Sequence, residues 1–340
     1  MKKKVSLKDI AQEVGVSTAL VSYVLSGKEK EARVGHEIAE VIRETARRMN
    51  YQPNQIAKSL KSGKSFTIGL IVADISNPFF ANIARTIEDE AKKDNYTAIF
   101  GSSDENAEKS WNLINTLINR QVDGFIIAPT EHSEQQIKYL KDLNIPFVLI
   151  DRYFPTIQTN YVALNNFQAA FDATAHLIGR GYKRIGMVAY DNGLIHMVER
   201  RRGYEEALTH HGLPITPSLI RVVDFNGVRE SIKTEVDNLL ALPEPVDALF
   251  FATNTLSLHG LRHLNHLDYK IPDDIALVCF DESDSFDFFY CGITCVSQPL
   301  GEIAREAVRI LIEQINERSQ ETRQVTFGSK LLIRQSCGTL

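Results

Sequence analysis

Four side chains, Thr18, Ala19, Ser22 and Tyr23, fall on the outward face of a short helical segment that opens at Ser17. Hydroxyl and phenol groups near a helix N-terminus can hydrogen-bond base edges in the major groove, and an alanine methyl can pack on a thymine methyl. The residues around them hold that helix in place. Ser6 is placed to cap a first helix, with Asp9 in its first turn, where a carboxylate favours the helix dipole. Leu7, Ile10, Ala11 and Val14 then share one face. Gly15 suits a left-handed turn. Ser17 caps the second helix, whose Leu20, Val21 and Val24 turn inward. The stretch reads as helix, tight turn, helix. An ordinary helical hairpin has the same periodicity; the small polar outward face favours DNA.

A third helix is expected from Gly35 to Met49, with Ile38, Ala39, Val41, Ile42, Ala46 and Met49 apolar. Pro53 then suits the start of a short helix carrying Ile56, Ala57 and Leu60. Such a helix is too short to be stable alone in water and makes sense if it folds on a partner. Charge supports that partner being nucleic acid. Residues 1–64 carry thirteen basic and seven acidic side chains, a net +6, whereas the whole chain is −5, leaving −11 for the rest. A basic head on an acidic body fits a head that meets phosphate. Lys2, Lys3, Lys4, Lys58, Lys61 and Lys64 are the expected phosphate neighbours, which position a protein without reading sequence.

From Phe66 onward the chain alternates strand and helix. Strands are expected at 67–73, 96–100, 122–128, 147–150, 184–189, 220–223, 248–252, 275–280 and 325–333. Helices are expected at 78–95, 106–120, 133–143, 167–179, 199–211, 229–240, 256–267 and 299–316. That rhythm argues for an α/β fold of parallel βαβ units. Open sheets of this kind bind ligands at the carboxyl ends of their strands. One such end holds Asn77, Pro78, Phe79 and Phe80, two aromatics beside a polar group at a helix start, able to stack on an apolar ligand face. Another is Ser102-Ser103-Asp104. A third is Asp151-Arg152, where Arg152 reads equally as a ligand contact or a subdomain ion-pair partner.

Other chemistries find little footing. No Gly-x-Ser-x-Gly elbow is present, and Ser62-Gly63-Lys64-Ser65 lacks the earlier glycine of a phosphate loop. His259 and His263 are four apart without a readable third metal ligand. Cys279, Cys291, Cys295 and Cys337 are few and unevenly spaced, as expected of reduced cytosolic thiols. No apolar run is long enough to span a membrane, and the basic N-terminus has no apolar signal region. A cytoplasmic, cofactor-free binder is the expectation. A sugar-binding receptor or a sugar-processing enzyme is the alternative.

The segments Leu7-Lys8-Asp9-Ile10-Ala11, Gly15-Val16-Ser17, Val21-Ser22, Asn50-Tyr51-Gln52-Pro53-Asn54 and Ala57-Lys58-Ser59-Leu60 resemble the LacI/GalR family of bacterial transcription regulators. The resemblance implies a helix-turn-helix domain over 1–50, a hinge helix and linker over 51–65, and a periplasmic-binding-protein-like effector domain over 66–340. The effector domain is then two Rossmann-like subdomains, 66–162 with 298–328 and 163–297 with 329–340. It also implies that Asn54, Ala57, Lys58 and Leu60 contact DNA, with Leu60 wedged into the minor groove.

In the body, Asn77, Phe79 and Phe80 match the family's Asn-Pro-Phe-Phe segment. Arg200 leads an Arg-x-x-Gly-aromatic motif. Phe225, Asn254, Asp281 and Gln298 match further effector contacts, alongside Asp104 and Arg152. Asn165, Thr255 and Cys279 depart from the usual pattern. The implied protein is a homodimeric regulator of double-stranded operator DNA, with repression the first expectation. It answers to a small polar effector, a sugar or sugar derivative first and a nucleobase second. No heptad run follows Ile333 to make a coiled-coil tetramer.

Overall fold

A computed structural model describes residues 5–52, 63–317 and 321–338. The chain divides into two compact units, Met1–Ser65 and Phe66–Leu340. In the first, α1 (Leu7–Val14), α2 (Thr18–Leu25) and α3 (His36–Arg48) surround a small core of Ile10, Ala11, Val21, Val24, Ala39, Ile42 and Ala46. So small a core depends on well-made helix ends. Ser6 and Asp9 form a reciprocal capping box, Asp9 N–H donating to Ser6 Oγ and Ser6 N–H to Asp9 Oδ2 at 2.8 Å. Gly15 closes α1 in the left-handed region at φ 77°. Ser17 Oγ accepts from Leu20 N–H at 3.2 Å. Each such cap is worth about 0.5–2 kcal/mol. Val41, counted among the apolar residues of α3, is exposed. The expected hinge helix, with Asn54, Ala57, Lys58 and Leu60, lies outside the described residues, as do Lys2, Lys3, Lys4 and Lys61.

The second unit holds two six-stranded sheets. The first half supplies β1 (Thr67–Val72), α4 (Pro78–Lys93), β2 (Thr97–Ser102), α5 (Ala107–Asn119), β3 (Gly124–Ile127), α6 (Glu134–Asp142), β4 (Phe147–Ile150) and β5 (Tyr161–Leu164). The chain then enters the other sheet through α7 (Asn166–Gly179), β6 (Ile185–Tyr190), α8 (Ile195–His210), β7 (Ile220–Val223), α9 (Val228–Leu240), β8 (Ala248–Phe251), α10 (Asn254–His266), β9 (Ala276–Phe280) and β10 (Thr294–Ser297). It returns as α11 (Leu300–Glu317) and β11 (Gln324–Phe327), and crosses once more to β12 (Lys330–Leu332).

The sheet orders are β11-β5-β4-β3-β1-β2 and β12-β10-β9-β8-β6-β7. Every pairing is parallel except β12 on β10, where Val296 faces Leu331 antiparallel. Central strands such as β3, β4, β8 and β9 are buried on both faces, which is why they read as continuous apolar runs. On the first sheet, α4 and α11 cover one face with Ile83, Ile87, Ala307 and Leu311, and α5 and α6 the other with Ile114, Leu117, Ile137 and Leu140. The second sheet is sandwiched likewise between α7 with α8 and α9 with α10.

Three expectations change. The terminal stretch 325–333 is not one strand: β11 and β12 belong to different sheets, with Gly328 between them. Two strands, β5 and β10, were not expected. Helix α8 begins at Ile195, four residues before the expected Glu199. No helix among the described residues is long and apolar enough to cross a membrane.

Candidate functional site

In the head, Val21 and Val24 point inward and leave Thr18, Ala19 and Tyr23 exposed, with Ser22 half-buried. Ser17 is exposed as well, but its oxygen is engaged as the helix cap. The face thus presents hydroxyl, methyl and phenol groups along the first two turns of α2.

In the body, the loops at the strand ends of both sheets converge on one cleft. Its lining includes Asn77, Phe79, Phe80, Arg152, Arg200, Phe225, Asp281 and Gln298, eight of the ten expected residues. It also includes Asp74, Glu105, Asp151, Tyr190, His196, Thr253 and Thr255. The cleft is partly open to solvent, and its cavity volume is about 40 Å³. Asn77 caps α4 by accepting from Phe79 N–H at 3.0 Å, which fixes the adjacent rings. Phe79 and Phe80 meet edge to face at 4.9 Å. Phe225 lies against Tyr190, both at the ends of neighbouring strands of the second sheet, centroids 5.7 Å apart.

Two arginines organise the floor. Arg152, 6% exposed, donates both Nη groups to Glu105 at 2.7 and 2.6 Å, and its Nε lies 3.3 Å from Asp151. Burial works against its cation, but Glu105 and Asp151 outweigh that and move its pKa up. It is therefore an ion-pair partner, one of the two roles left open by the sequence. Arg200, 2% exposed, donates Nε to Asn166 Oδ1 at 2.8 Å and one Nη to the Ala252 carbonyl at 2.6 Å. Its guanidinium lies over the Phe280 ring at 3.5 Å. Burial lowers its pKa to about 10, against the opposing pull of Asp281 and Asp151.

Asp281 accepts from Gln298 Nε2 at 2.5 Å and from the Asn254 backbone N–H. Burial pushes the Asp281 and Asp151 carboxyls up, while Arg200 and Arg152 respectively hold them down. Both aspartates sit in the left-handed region, φ 68° and 65°, at equivalent strand ends of the two sheets.

Two expected residues are not in the lining. Asp104 turns outward, accepting from Ser102 Oγ at 2.6 Å and pairing with Lys109. Asn254 is buried with both side-chain polar atoms unpartnered, and serves the cleft through its backbone instead. His196 was missed because the helix was expected to start after it. On α8 it precedes Arg200 by one turn, the i,i+4 spacing that puts two side chains on one face. It is 4% exposed, and its Nδ1 has no hydrogen-bond partner. Burial, with Arg152 and Arg200 nearby, holds its pKa well below 6.5. The imidazole is neutral, able to accept or donate one hydrogen bond.

A histidine kept neutral by the fold contributes stability above its ordinary pKa, and that contribution is lost as pH falls below 6.5. His196→Gln is therefore expected to flatten the fall of Tm between pH 7.5 and 5.5. The side chain accounts for at most about 1.4 kcal/mol per pH unit. His176 and His259, also lowered by burial, remain in both proteins, so the difference reports His196. Identical slopes for the two proteins would show that His196 takes up its proton freely in the fold.

A helix-turn-helix head joined to a two-sheet body with a polar cleft between the sheets has the build of a ligand-controlled DNA-binding protein. The family described as bacterial regulatory proteins, lacI family, matches residues 6–54, and a periplasmic binding protein-like domain matches residues 174–337. Catabolite control protein A of Priestia megaterium is 33% identical over 333 residues, covering 98% of this chain and 99% of that protein. The HTH-type transcriptional repressor CytR of Escherichia coli (strain K12) is 30% identical over 339 residues, covering 98% and 97%. A solved LacI family regulator from Enterococcus faecium with bound ribose superposes with a TM-score of 0.71 at 25% identity, covering 81% of this chain and 99% of that one. The chain belongs to the lacI family of bacterial regulatory proteins. It is a DNA-binding transcriptional regulator, not an enzyme.

Proposed function

We propose that this regulator is a cytoplasmic homodimeric repressor whose operator affinity is set by a small polyhydroxylated effector, a sugar or sugar derivative, held in the cleft. The carrying observation is the pairing of Asp281 and Arg200 on one wall with Phe79 and Phe225 on the others. A carboxylate and a planar guanidinium suit vicinal hydroxyls, and aromatic rings suit the apolar faces of a sugar ring. The ribose-bound relative supports the same class. A cavity of about 40 Å³ has room for a few waters and not for a sugar ring, so a ring-sized effector enters when the two subdomains part. Effector and operator are then coupled because each favours one arrangement of the subdomains.

A thermal-shift screen of sugars, sugar derivatives and nucleobases tests the class. A true ligand raises Tm by mass action. Stabilisation by nucleobases alone would replace the sugar reading.

On DNA, Thr18, Ser22 and Tyr23 are proposed to read base edges, with Ala19 on a thymine methyl and Ser17 setting the helix. Asn54, Ala57, Lys58 and Leu60 are proposed as hinge contacts. Tyr23→Ala is expected to shift operator preference by about 1–3 kcal/mol at the bases it meets. Selection from random DNA measures this. Recovery of the same consensus by both proteins would remove Tyr23 from the reading face.

A further inference from the structure

We propose that Glu105 sets the charge class of the effector: by engaging Arg152, it makes the cleft accept uncharged polyhydroxyl ligands and reject their phosphate esters. The inference rests on the cleft being the effector site. Arginine recognises phosphate through a two-pronged donor edge. Arg152 has none to offer, since both Nη groups are on Glu105 and its Nε faces Asp151. Arg200 has one Nη left, because Nε is on Asn166, the other Nη is on the Ala252 carbonyl, and its plane lies on Phe280. Among the described residues no lysine lines the cleft, and His196 is neutral. Asp74, Glu105, Asp151 and Asp281 therefore outnumber the two cations.

Helix N-termini are the other common phosphate receivers. Those of α4 and α10 are already served. Helix α4 begins with Pro78, which has no N–H, and Asn77 caps its next donor. On α10, Thr253 Oγ1 caps Leu256 N–H and Asp281 takes the Asn254 N–H. Helix α8 has no side-chain cap, but Gly193 N–H just ahead of it donates to Glu131 Oε1 at 2.8 Å, which sets a carboxylate beside that end.

The backbone aims Glu105. Asp104 and Glu105 are consecutive left-handed residues at φ 51° and 54°, and Glu105 N–H donates to the Ala73 carbonyl at 3.1 Å. That turn sends Asp104 out to Lys109 and Glu105 in to Arg152.

Calorimetry on the full chain tests the proposal with three kinds of probe: ribose against ribose 5-phosphate, glucose against glucose 6-phosphate, and inorganic phosphate. Wild type is expected to bind the uncharged member of any pair it binds at least tenfold more tightly. Glu105→Gln, which keeps the side chain's size and removes its charge, is expected to bind inorganic phosphate at least tenfold more tightly than wild type. Adding Arg152→Gln should abolish that gain. Glu105→Ser serves as a second variant, with circular dichroism checking the fold of each. Tighter binding of a phosphorylated sugar by wild type, or no gain of phosphate affinity in the folded Glu105 variants, would overturn the proposal. If neither sugar pair binds while Glu105→Gln gains phosphate, the charge rule stands and the sugar reading of the effector falls.

Discussion

Gly203→Ala is expected to cost about 3 kcal/mol or more and to disable the effector response together with the fold. A Cβ at this position would sit 2.2 Å from the Phe167 carbonyl oxygen, 3.0 Å from Phe171 N and 3.1 Å from Ala170 Cβ. Two of those three neighbours are backbone of α7, so no rotamer change makes room. The helices must separate, and overpacking of this kind costs 1–3 kcal/mol even where neighbours can yield. The loss reaches the cleft because α8 also carries His196 and Arg200. Urea unfolding monitored by circular dichroism reads the effect. Gly179→Ala is the internal control, since nothing lies within 4 Å of a Cβ there. Similar midpoints for the two variants would mean that α7 and α8 are not held at glycine-set distance.

Removing the Arg200 guanidinium destabilises by a different route. In Arg200→Met, Asp281 keeps Gln298 and the Asn254 N–H but loses the cation that opposes its burial. Arg200 acts on Asp281 through its charge rather than through a direct ion pair, and its removal leaves a buried carboxylate less compensated, a loss on the order of 1–3 kcal/mol. Its carboxyl pKa, already raised by burial, then moves further up. A carboxyl raised in the folded state destabilises most at high pH, and the penalty fades as pH falls and the group takes up a proton. The deficit of Arg200→Met relative to wild type should thus be smaller at pH 5 than at pH 8. Arg200→Met with Asp281→Asn should recover part of it at pH 8. Unfolding curves at the two pH values decide this. A deficit independent of pH would mean that Arg200 stabilises through packing on Phe280 rather than through charge. Effector response is expected to be lost in both variants.

What was legible in the sequence was whatever is decided locally. Ser6, Gly15 and Ser17 mark the ends of α1 and α2 because a cap is a contact between residues three or four apart. The apolar runs of β1, β3, β4, β8 and β9 are likewise local features, and their alternation with helices argued for parallel sheets. Strands β5 and β10 did not stand out. Each is four residues long, and each is a strand because of partners far along the chain, β11 and β12 among them. The stretch 325–333 kept its strand character across Gly328, and nothing local says that its halves join different sheets. In the cleft, Phe79, Arg200, Asp281 and Gln298 carried recognisable patterns. Glu105 displaced Asp104 because a two-residue left-handed turn reverses which acid faces inward, and that turn is fixed by a bond to Ala73.

The three crossings between the sheets bear on how the protein is made. Up to Gln298 the chain has laid down five strands of the first sheet and five of the second. Neither is finished, because β11 and β12 close one edge of each, and α11 supplies the Ile303, Ala304, Ala307 and Leu311 that cover a face of the first. A ribosome-bound nascent chain therefore holds two incomplete sheets, with apolar faces and open strand edges, until residues 300–332 have emerged. Such surfaces are what chaperones bind and what aggregation grows from. The small head, by contrast, has its whole core by residue 51 and can fold while the body is still being synthesised.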